Sequence, residues 1–193
     1  MTLHFETKTL FLRPFEAHDV PALQAYLNLP HLAGRRYLPD AFPAYFPLSR
    51  SQVENLITTW AQQEHAITLA IVSQHGQQVI GHVGADWGWD THCPGVHVVI
   101  DPLNQRNGYG RGALGLMLDY LFGYTPAHSV DMWVADWNKA GIAFAESMGF
   151  RPAGAMRWAG LHEGKPFDMQ VFDLLRPEYL AQQKKQEEVS YGA

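Results

Sequence analysis

The sequence predicts an α/β fold built on a mixed β-sheet of about seven strands with helices on both faces. Three observations predict it. Short β-prone runs fill Ala66 to Ile100, a helical period takes over near Gly110, and two more strand-like runs, Phe150 to Trp158 and Phe167 to Leu175, lie beyond a further short helix. Antiparallel strands first, then a β-loop-α-β-α unit, then a closing hairpin require parallel and antiparallel pairing in one sheet.

Thr9 to Arg13 (TLFLR) is apolar and β-prone and is closed by Pro14, which predicts the first strand. Asp19 stands where it can cap a helix whose Val20, Leu23, Tyr26 and Leu27 recur at helical spacing until Pro30. Pro30, Pro39, Pro43 and Pro47 predict irregular structure over that stretch. Ser51, with Glu54 three residues on, has the capping-box pattern ahead of a second apolar face of Val53, Leu56, Ile57 and Trp60. Ala66 to Val72 and Gln78 to Val83 flank the turn-forming Ser73 to Gly76 and predict an antiparallel hairpin, with Val96 to Ile100 as the next strand. Ala113, Leu114, Met117, Leu118 and Leu121 mark a helix from about Gly110; Val130 to Ala135 reads as a strand, and Ile142 to Met148 as a helix ended by Gly149. Phe150 to Trp158 and Phe167 to Leu175 are joined by a loop with Gly160 and Gly164. Gln182 to Glu188 has nothing to bury and predicts a solvated helix end or a disordered tail.

At 193 residues, 47% of them hydrophobic, the chain suffices for one substantial core, so a single domain over residues 1–180 with a polar tail at 181–193 is expected. Fourteen Lys and Arg against 19 Asp and Glu leave a net charge of −5, which provides no chain-wide cationic field to hold a nucleic-acid backbone. Apolar runs such as Leu69 to Val72 fall far short of the roughly 20 residues that cross a bilayer, and no basic-then-apolar leader opens the chain. The single cysteine, Cys93, has no internal disulfide partner, in keeping with a reducing compartment. A cytoplasmic protein is expected, with no metal, no nucleic acid and no membrane among its partners.

The most informative segment is Gln105-Arg106-Asn107-Gly108-Tyr109-Gly110-Arg111-Gly112, between a strand and a helix. Its glycines let backbone N–H groups at a helix start approach a ligand closely, Arg106 and Arg111 add positive charge, and the natural ligand is a phosphate. No Gly-Lys-Ser/Thr triplet supports a P-loop. Gly108, Gly110 and Ala113 do fit G-x-G-x-x-G/A, with Asp131 and Asp136 downstream to reach a ribose, so a dinucleotide such as NAD or NADP is an alternative. Against it, seven residues, Asp101 to Asn107, separate the strand end at Ile100 from Gly108, and only one βαβ unit is available.

Gln105-x-x-Gly108-x-Gly110, after a strand ending Ile100-Asp101-Pro102, resembles the acetyl-CoA loop of the GNAT superfamily of N-acetyltransferases. Asn138 to Phe150 (NKAGIAFAESMGF) resembles that family's fourth-helix motif through Asn138, Glu146, Gly149 and Phe150. Thr7 to Leu23 is similar to the opening of its RimJ/RimL-like branch, with Leu10, Leu12, Arg13, Pro14 and Asp19 in matching places; Gly164 to Asp168 and Arg176 to Tyr179 are similar to the branch's last strands. The resemblance spans residues 7 to 180. It implies a sheet splayed between the strands Val96 to Ile100 and Val130 to Ala135, with acetyl-CoA in the opening. The pantetheine arm would then run along Val98, Val99 and Ile100, and the pyrophosphate would rest on the N–H groups of Asn107, Gly108, Tyr109, Gly110, Arg111 and Gly112, with Gln105 and Arg106 beside it. Asn138 matches a position that touches the pantetheine arm or shapes the pocket, and it also stands where it can cap the following helix.

The implied reaction is direct attack of a primary amine on a thioester in a ternary complex, which needs positioning, a proton acceptor and an oxyanion donor. The family's usual tyrosine, serine and glutamate would fall at Ala145, Gly141 and Gly95, none of which titrates. His97, two residues after Gly95 and so on the same strand face, is one candidate base, with an ordinary pKa near 6.5; Asp86 is the other. Cys93 lacks an evident His and acid partner for nucleophilic work, and His92, Cys93 and His97 lack a fourth metal ligand. Trp87, Trp89, Trp133, Trp137 and Trp158 suggest an aromatic-lined acceptor cleft, although Trp133, within a strand, reads better as core. Asp86, Asp90, Asp136, Glu163 and Asp168 would draw in a cationic amine. The resemblance implies a protein N-terminus or a small amine as acceptor, and a monomer or homodimer is expected. With the usual titratable groups missing, a catalytically silent acyl-CoA-binding protein is the rival reading.

Overall fold

The computed structural model describes residues 5–29, 47–88 and 90–191; the proline-rich stretch from Pro30 to Pro43 and Trp89 lie outside the described residues. The strands are β1 (Leu10–Arg13), β2 (Ala66–Ser73), β3 (Val79–Asp86), β4 (Gly95–Ile100), β5 (Ser129–Ala135), β6 (Arg151–His162) and β7 (Lys165–Leu175). The helices are α1 (Val20–Leu27), α2 (Arg50–Gln62), α3 (Tyr109–Tyr124), α4 (Lys139–Ser147) and α5 (Arg176–Tyr191). The strands follow the hydrogen-bonded order β1-β2-β3-β4-β5-β7-β6. Pairing is antiparallel for β1–β2, β2–β3, β5–β7 and β6–β7, and parallel for β4–β5, where Gly95 stands opposite Asp131. The expected mixed sheet of seven strands is present. The chain divides into two compact units, one of residues 1–86 and 97–119, the other of residues 87–96 and 120–193.

In the first unit the apolar stripes of α1 (Val20, Leu23, Tyr26, Leu27) and α2 (Val53, Leu56, Trp60) pack with Ala70, Val72, Val79 and Val99 of the strands. Each fully buried large apolar side chain of this cluster contributes roughly 1.5–3 kcal/mol. The start of α2 differs from expectation. Ser49, not Ser51, caps it: its Oγ accepts from Gln52 N at 3.3 Å, and Gln52 Oε1 accepts from Ser49 N at 2.8 Å. Glu54 instead pairs with Arg50 at 2.8 Å. The cause lies in the preceding residue. Asn28 Oδ1 accepts from Leu48 N at 2.6 Å, and the Leu48 carbonyl accepts from Asn28 Nδ2 and Gln24 Nε2, so the helix begins as soon as the chain leaves this clamp.

Asp19 also differs. It makes no side-chain cap to α1, which is entered through a 3-10 turn at Ala17–Asp19. Its buried carboxylate instead accepts both Arg13 guanidinium nitrogens, at 2.6 and 2.9 Å, and the Glu16 N–H at 2.8 Å. An arginine six residues away competes better for the charge than a helix N–H does.

In the second unit, Arg176 at the start of α5 donates through Nε to the Ala127 carbonyl at 2.8 Å and through Nη2 to Thr125 at 2.8 Å, with Phe122 beneath its guanidinium. Helix α4 ends in the left-handed Gly149 (φ 89°), with Phe150 N donating back to the Ala145 carbonyl at 3.1 Å. β6 and β7 join through Glu163 and Gly164, both at positive φ (52° and 76°), the two-residue turn that suits the strand twist. Gly160 lies within β6 rather than in the loop: its missing Cβ would meet the Phe167 ring, with Cζ at 2.9 Å. Gln182 to Glu188 continues α5.

Burial alone would raise the Asp19 carboxyl, but the hydrogen bond from Arg13, the Glu16 N–H and the adjacent positive charge together bring it below its ordinary value. A carboxyl lowered by folding stabilises fully above its unfolded value near 4, and that contribution is lost as pH falls through the folded value. Asp19→Asn is expected to cost about 2 kcal/mol of stability at pH 7, since it leaves Arg13 without its ionic partner. It should also flatten the acid limb of the stability curve. Urea unfolding of wild type and variant between pH 3 and 7 checks both, and parallel acid limbs would contradict the assignment.

Candidate active site

In the first unit, β4 ends at a set of short-range ties. Asp101 N donates to the Ile80 carbonyl of β3 at 2.9 Å, and its carboxylate accepts from Leu103 N and Asn104 Nδ2, both at 3.0 Å. Gln105 Nε2 donates to the Ile100 carbonyl at 3.1 Å, and Asn107 Nδ2 to the Asn104 carbonyl at 3.3 Å. These two side chains therefore shape the loop from within. Arg106 sits at φ 67°, a left-handed conformation that costs a non-glycine residue about 1 kcal/mol, and Gly108 at φ 78°.

Helix α3 then begins at Tyr109, and its first internal bond runs from Gly112 N to the Gly108 carbonyl at 3.0 Å. Gly112 thus has its N–H committed and its Cα packed inward, where a Cβ would lie 3.2 Å from Leu10 Cδ2. It drops out of the expected set of N–H donors to a ligand. Tyr109 and Gly110 remain, with N–H groups that have no acceptor inside the helix. A Cβ at Gly108 would meet nothing within 4 Å, so the space over the turn is open. An exposed turn with helix-start N–H groups and an arginine at Arg106 is physically suited to an anion.

His97 lies on β4 with its ring over β3: a Cβ at Gly84 would fall against His97 Cε1 and 2.7 Å from Nε2. The ring meets His82 edge-on, with centroids 5.7 Å apart. Burial pushes the His97 imidazolium down to about 4, against the opposing pull of Asp86. The ordinary value near 6.5 expected for His97 is thereby corrected, and the ring is neutral at physiological pH. Asp86, at the exposed end of β3, acts on His97 through its charge.

Sequence reasoning missed the partners behind His97. His82 is completely buried; its Nδ1 is 2.8 Å from the Tyr26 hydroxyl, and its ring packs against Trp60 with centroids 5.2 Å apart. The signal was a polar residue in the middle of VIGHVGAD, a strand buried along all but its last residue.

In the second unit, Asn138 Oδ1 accepts from Gly141 N at 3.1 Å and caps α4. A Cβ at Gly141 would lie 2.6 Å from Asn138 Nδ2 and 2.9 Å from Val134 Cγ1, so a serine does not fit there without a shift. Ala145 is fully buried. A Cβ at Gly95 would lie 3.0 Å from Asp131 Oδ1, and Cys93 Sγ is 4.0 Å from Asp131 Oδ2. Burial and the carboxylates of Asp131, Asp90 and Asp173 hold the Cys93 thiol above its ordinary value despite a hydrogen bond with Ser129, so it is no activated nucleophile. Among the described residues, no group of three or more His, Cys, Asp or Glu is placed to hold a metal ion. No described helix is long and apolar enough to cross a membrane.

The tryptophans have different roles. Trp133 is 47% exposed, contrary to a core position, and Trp158 is 77% exposed at a left-handed φ of 54°. Trp137 stacks on His162 at 3.9 Å between centroids. Asp136 and Asp168 are engaged in the backbone, Asp136 Oδ2 accepting from Asp168 N at 3.3 Å and Asp168 Oδ1 from Trp158 N at 2.9 Å.

Residues 9–151 match the family of the Acetyltransferase (GNAT) domain. A relative from Bacillus subtilis (strain 168), the uncharacterized N-acetyltransferase YoaA, is 24% identical over 180 residues, covering 89% of this chain and 96% of its own. A GNAT-family acetyltransferase structure from Bacillus anthracis aligns with a TM-score of 0.77 at 17% identity over 90% of this chain and 99% of its own. The spermidine N-acetyltransferase from Vibrio cholerae, in complex with CoA and spermine, aligns with a TM-score of 0.77 at 20% identity over 90% of this chain and 99% of its own. With its glycine turn lying inside the matched stretch and its mixed seven-stranded sheet shared with these structures, the chain belongs to the GNAT family of acetyl-CoA-dependent N-acetyltransferases.

Proposed function

We propose that the protein transfers the acetyl group of acetyl-CoA to a primary amine, a protein N-terminal α-amine or a small-molecule amine, by direct attack in a ternary complex. The observation that carries the reading is the open turn at Gly108, followed by the N–H groups of Tyr109 and Gly110 at the start of a helix. In this reading the turn from Asn107 to Arg111 receives the pyrophosphate, and Arg106 adds charge to it. Val98 and Val99 offer main-chain groups to the pantetheine amides, while the Ile100 carbonyl is already an acceptor for Gln105. Bound acetyl-CoA supplies the reactive thioester. Asn138 keeps its cap and has its Nδ2 left for the role that the family resemblance carries to it.

His97 is the proton acceptor in this proposal. Its neutral ring has a lone pair at physiological pH, whereas a side chain grown from Gly95, Gly141 or Ala145 would meet its neighbours or lie in full burial. Asp86 supports it through charge. The family match runs through residues of both compact units, which supports reading 1–180 as one acetyltransferase domain. The RimJ/RimL-like branch and a cytoplasmic site of action complete the proposal. They rest on the opening motif, Leu10, Leu12, Arg13 and Pro14, and on the lone cysteine.

Thermal unfolding with acetyl-CoA, free CoA, NAD or NADP tests the co-substrate. A native-state ligand at 100 times its Kd adds about 2.7 kcal/mol, a clear rise in Tm. Acetyl-CoA should give it, and a rise with only a dinucleotide would overturn the reading. Gly110→Val should weaken acetyl-CoA binding about tenfold or more by calorimetry; Gly108→Ala should do the same and also lose about 1 kcal/mol of stability, because its φ is positive. Unchanged Kd in both variants would remove the turn from the site. A panel of polyamines, aminoglycosides and N-terminal peptides, read by CoA release, should contain a substrate; binding without any turnover would instead favour the silent acyl-CoA-binding protein.

A further inference from the structure

Behind His97 lies a polar chain that the fold gives no structural reason to bury. His82 is 0% exposed and Tyr26 only 2%, both in the apolar cluster between α1, α2 and the strands. The Tyr26 hydroxyl and His82 Nδ1 are 2.8 Å apart. Burial together with Asp101 and Asp19 holds the phenol well above its ordinary value, so it keeps its proton; burial and His97 hold the His82 imidazolium well below its own, so the ring is neutral. When the phenol donates to Nδ1, the ring's one proton must sit on Nε2. That atom has no hydrogen-bond partner among the described residues. The rings packed on His82 are Tyr26, Trp60 and His97. Trp60 offers only a donor, and the Tyr26 hydroxyl is already engaged at Nδ1, so among the described residues the ring left with a lone pair for the Nε2 proton is His97. The two rings make no direct hydrogen bond, and a centroid separation of 5.7 Å leaves room for a single bridging water.

We propose that Tyr26 and His82 form a buried hydrogen-bonded relay that positions His97, with the His82 Nε2–H donating through one bridging water to a His97 ring nitrogen and leaving the other to take the proton of the attacking amine. The inference rests on the reading of His97 as proton acceptor. In the reaction the amine nitrogen bonds to the acetyl carbon and the carbon–sulfur bond breaks. The amine proton passes to His97 and from there to the departing sulfur, so CoA leaves as the thiol and His97 returns neutral. Tyr26 and His82 are positioning residues, whose protons stay in place. The groups that face the pair are Asp86 from β3, acting on His97, and Asp101 and Asp19, acting on Tyr26. The missing side chain at Gly84 gives the His97 ring its place.

Two measurements test the relay. In the 15N spectrum of histidine-labelled protein between pH 5 and 8, His82 should show one neutral tautomer protonated on Nε2. Tyr26→Phe should convert it to a tautomer mixture and shift the His97 nitrogens. A tautomer protonated on Nδ1, or His97 signals unmoved by Tyr26→Phe, would overturn the relay without any assay of activity.

With the panel amine of highest turnover, His97→Ala should lower kcat about 100-fold. His82→Phe, which keeps the ring but removes the donor, should lower kcat about tenfold with the KM for acetyl-CoA unchanged, and His82→Gln should restore part of it. The double variant should be no slower than His97→Ala alone. Full kcat in His97→Ala would overturn the proton-acceptor reading; an additive double variant would overturn the relay and leave that reading standing.

Discussion

The close approach of β4 to β3 is the constraint on which the first unit's site depends, and two glycines make it possible. A Cβ at Gly81 would strike the Val99 carbonyl oxygen, and one at Gly84 would strike the His97 ring and lie 2.7 Å from the Ile67 carbonyl. Without side chains at these points, Val99 reaches the apolar cluster, His97 settles over β3, and Asp101 N closes onto the Ile80 carbonyl. The loop to α3 starts from that last bond. The geometry of the glycine turn is thus set from the strand that precedes it in the sheet.

Local electrostatics, rather than the net charge of −5, govern the turn. Asp101 is the nearest acid in sequence, and its carboxylate is occupied by Leu103 N and Asn104 Nδ2 within its own 3-10 turn. The helix start contributes roughly half a positive charge, and its N–H groups act at contact distance, where a diffuse negative surface is already screened within about 8–10 Å. An acidic protein can therefore present a local anion site. The left-handed conformation of Arg106 costs about 1 kcal/mol.

The positions at which the family's usual acid–base groups would stand are used here for packing. Gly141 makes room for the Asn138 cap, Ala145 is sealed in the second unit's interior, and Gly95 lies against Asp131. A buried polar cluster stands instead at Tyr26, His82 and His97, all in the first unit. Burial keeps both histidine rings neutral.

Much of this was legible in the residues themselves. Apolar periodicity alone located α1, α2 and α3, because a helix stripe or a buried strand is a local pattern; the glycine turn was legible because only glycine serves where N–H groups must be bare. The capping assignments at Asp19 and Ser51 were not, since Arg13 and Asn28 compete for those ends from elsewhere in the chain. Trp133 read as core and is exposed, because which face of a strand is covered depends on distant elements. The sequence by itself determined the fold class and the place of the glycine turn ahead of a helix, both written in contiguous residues. Only the tertiary structure decided that Gly112 is committed to the helix, that burial keeps the His97 ring neutral, and that Tyr26 and His82 stand behind it. Those facts depend on burial and on contacts between residues up to 56 positions apart, which no local pattern records.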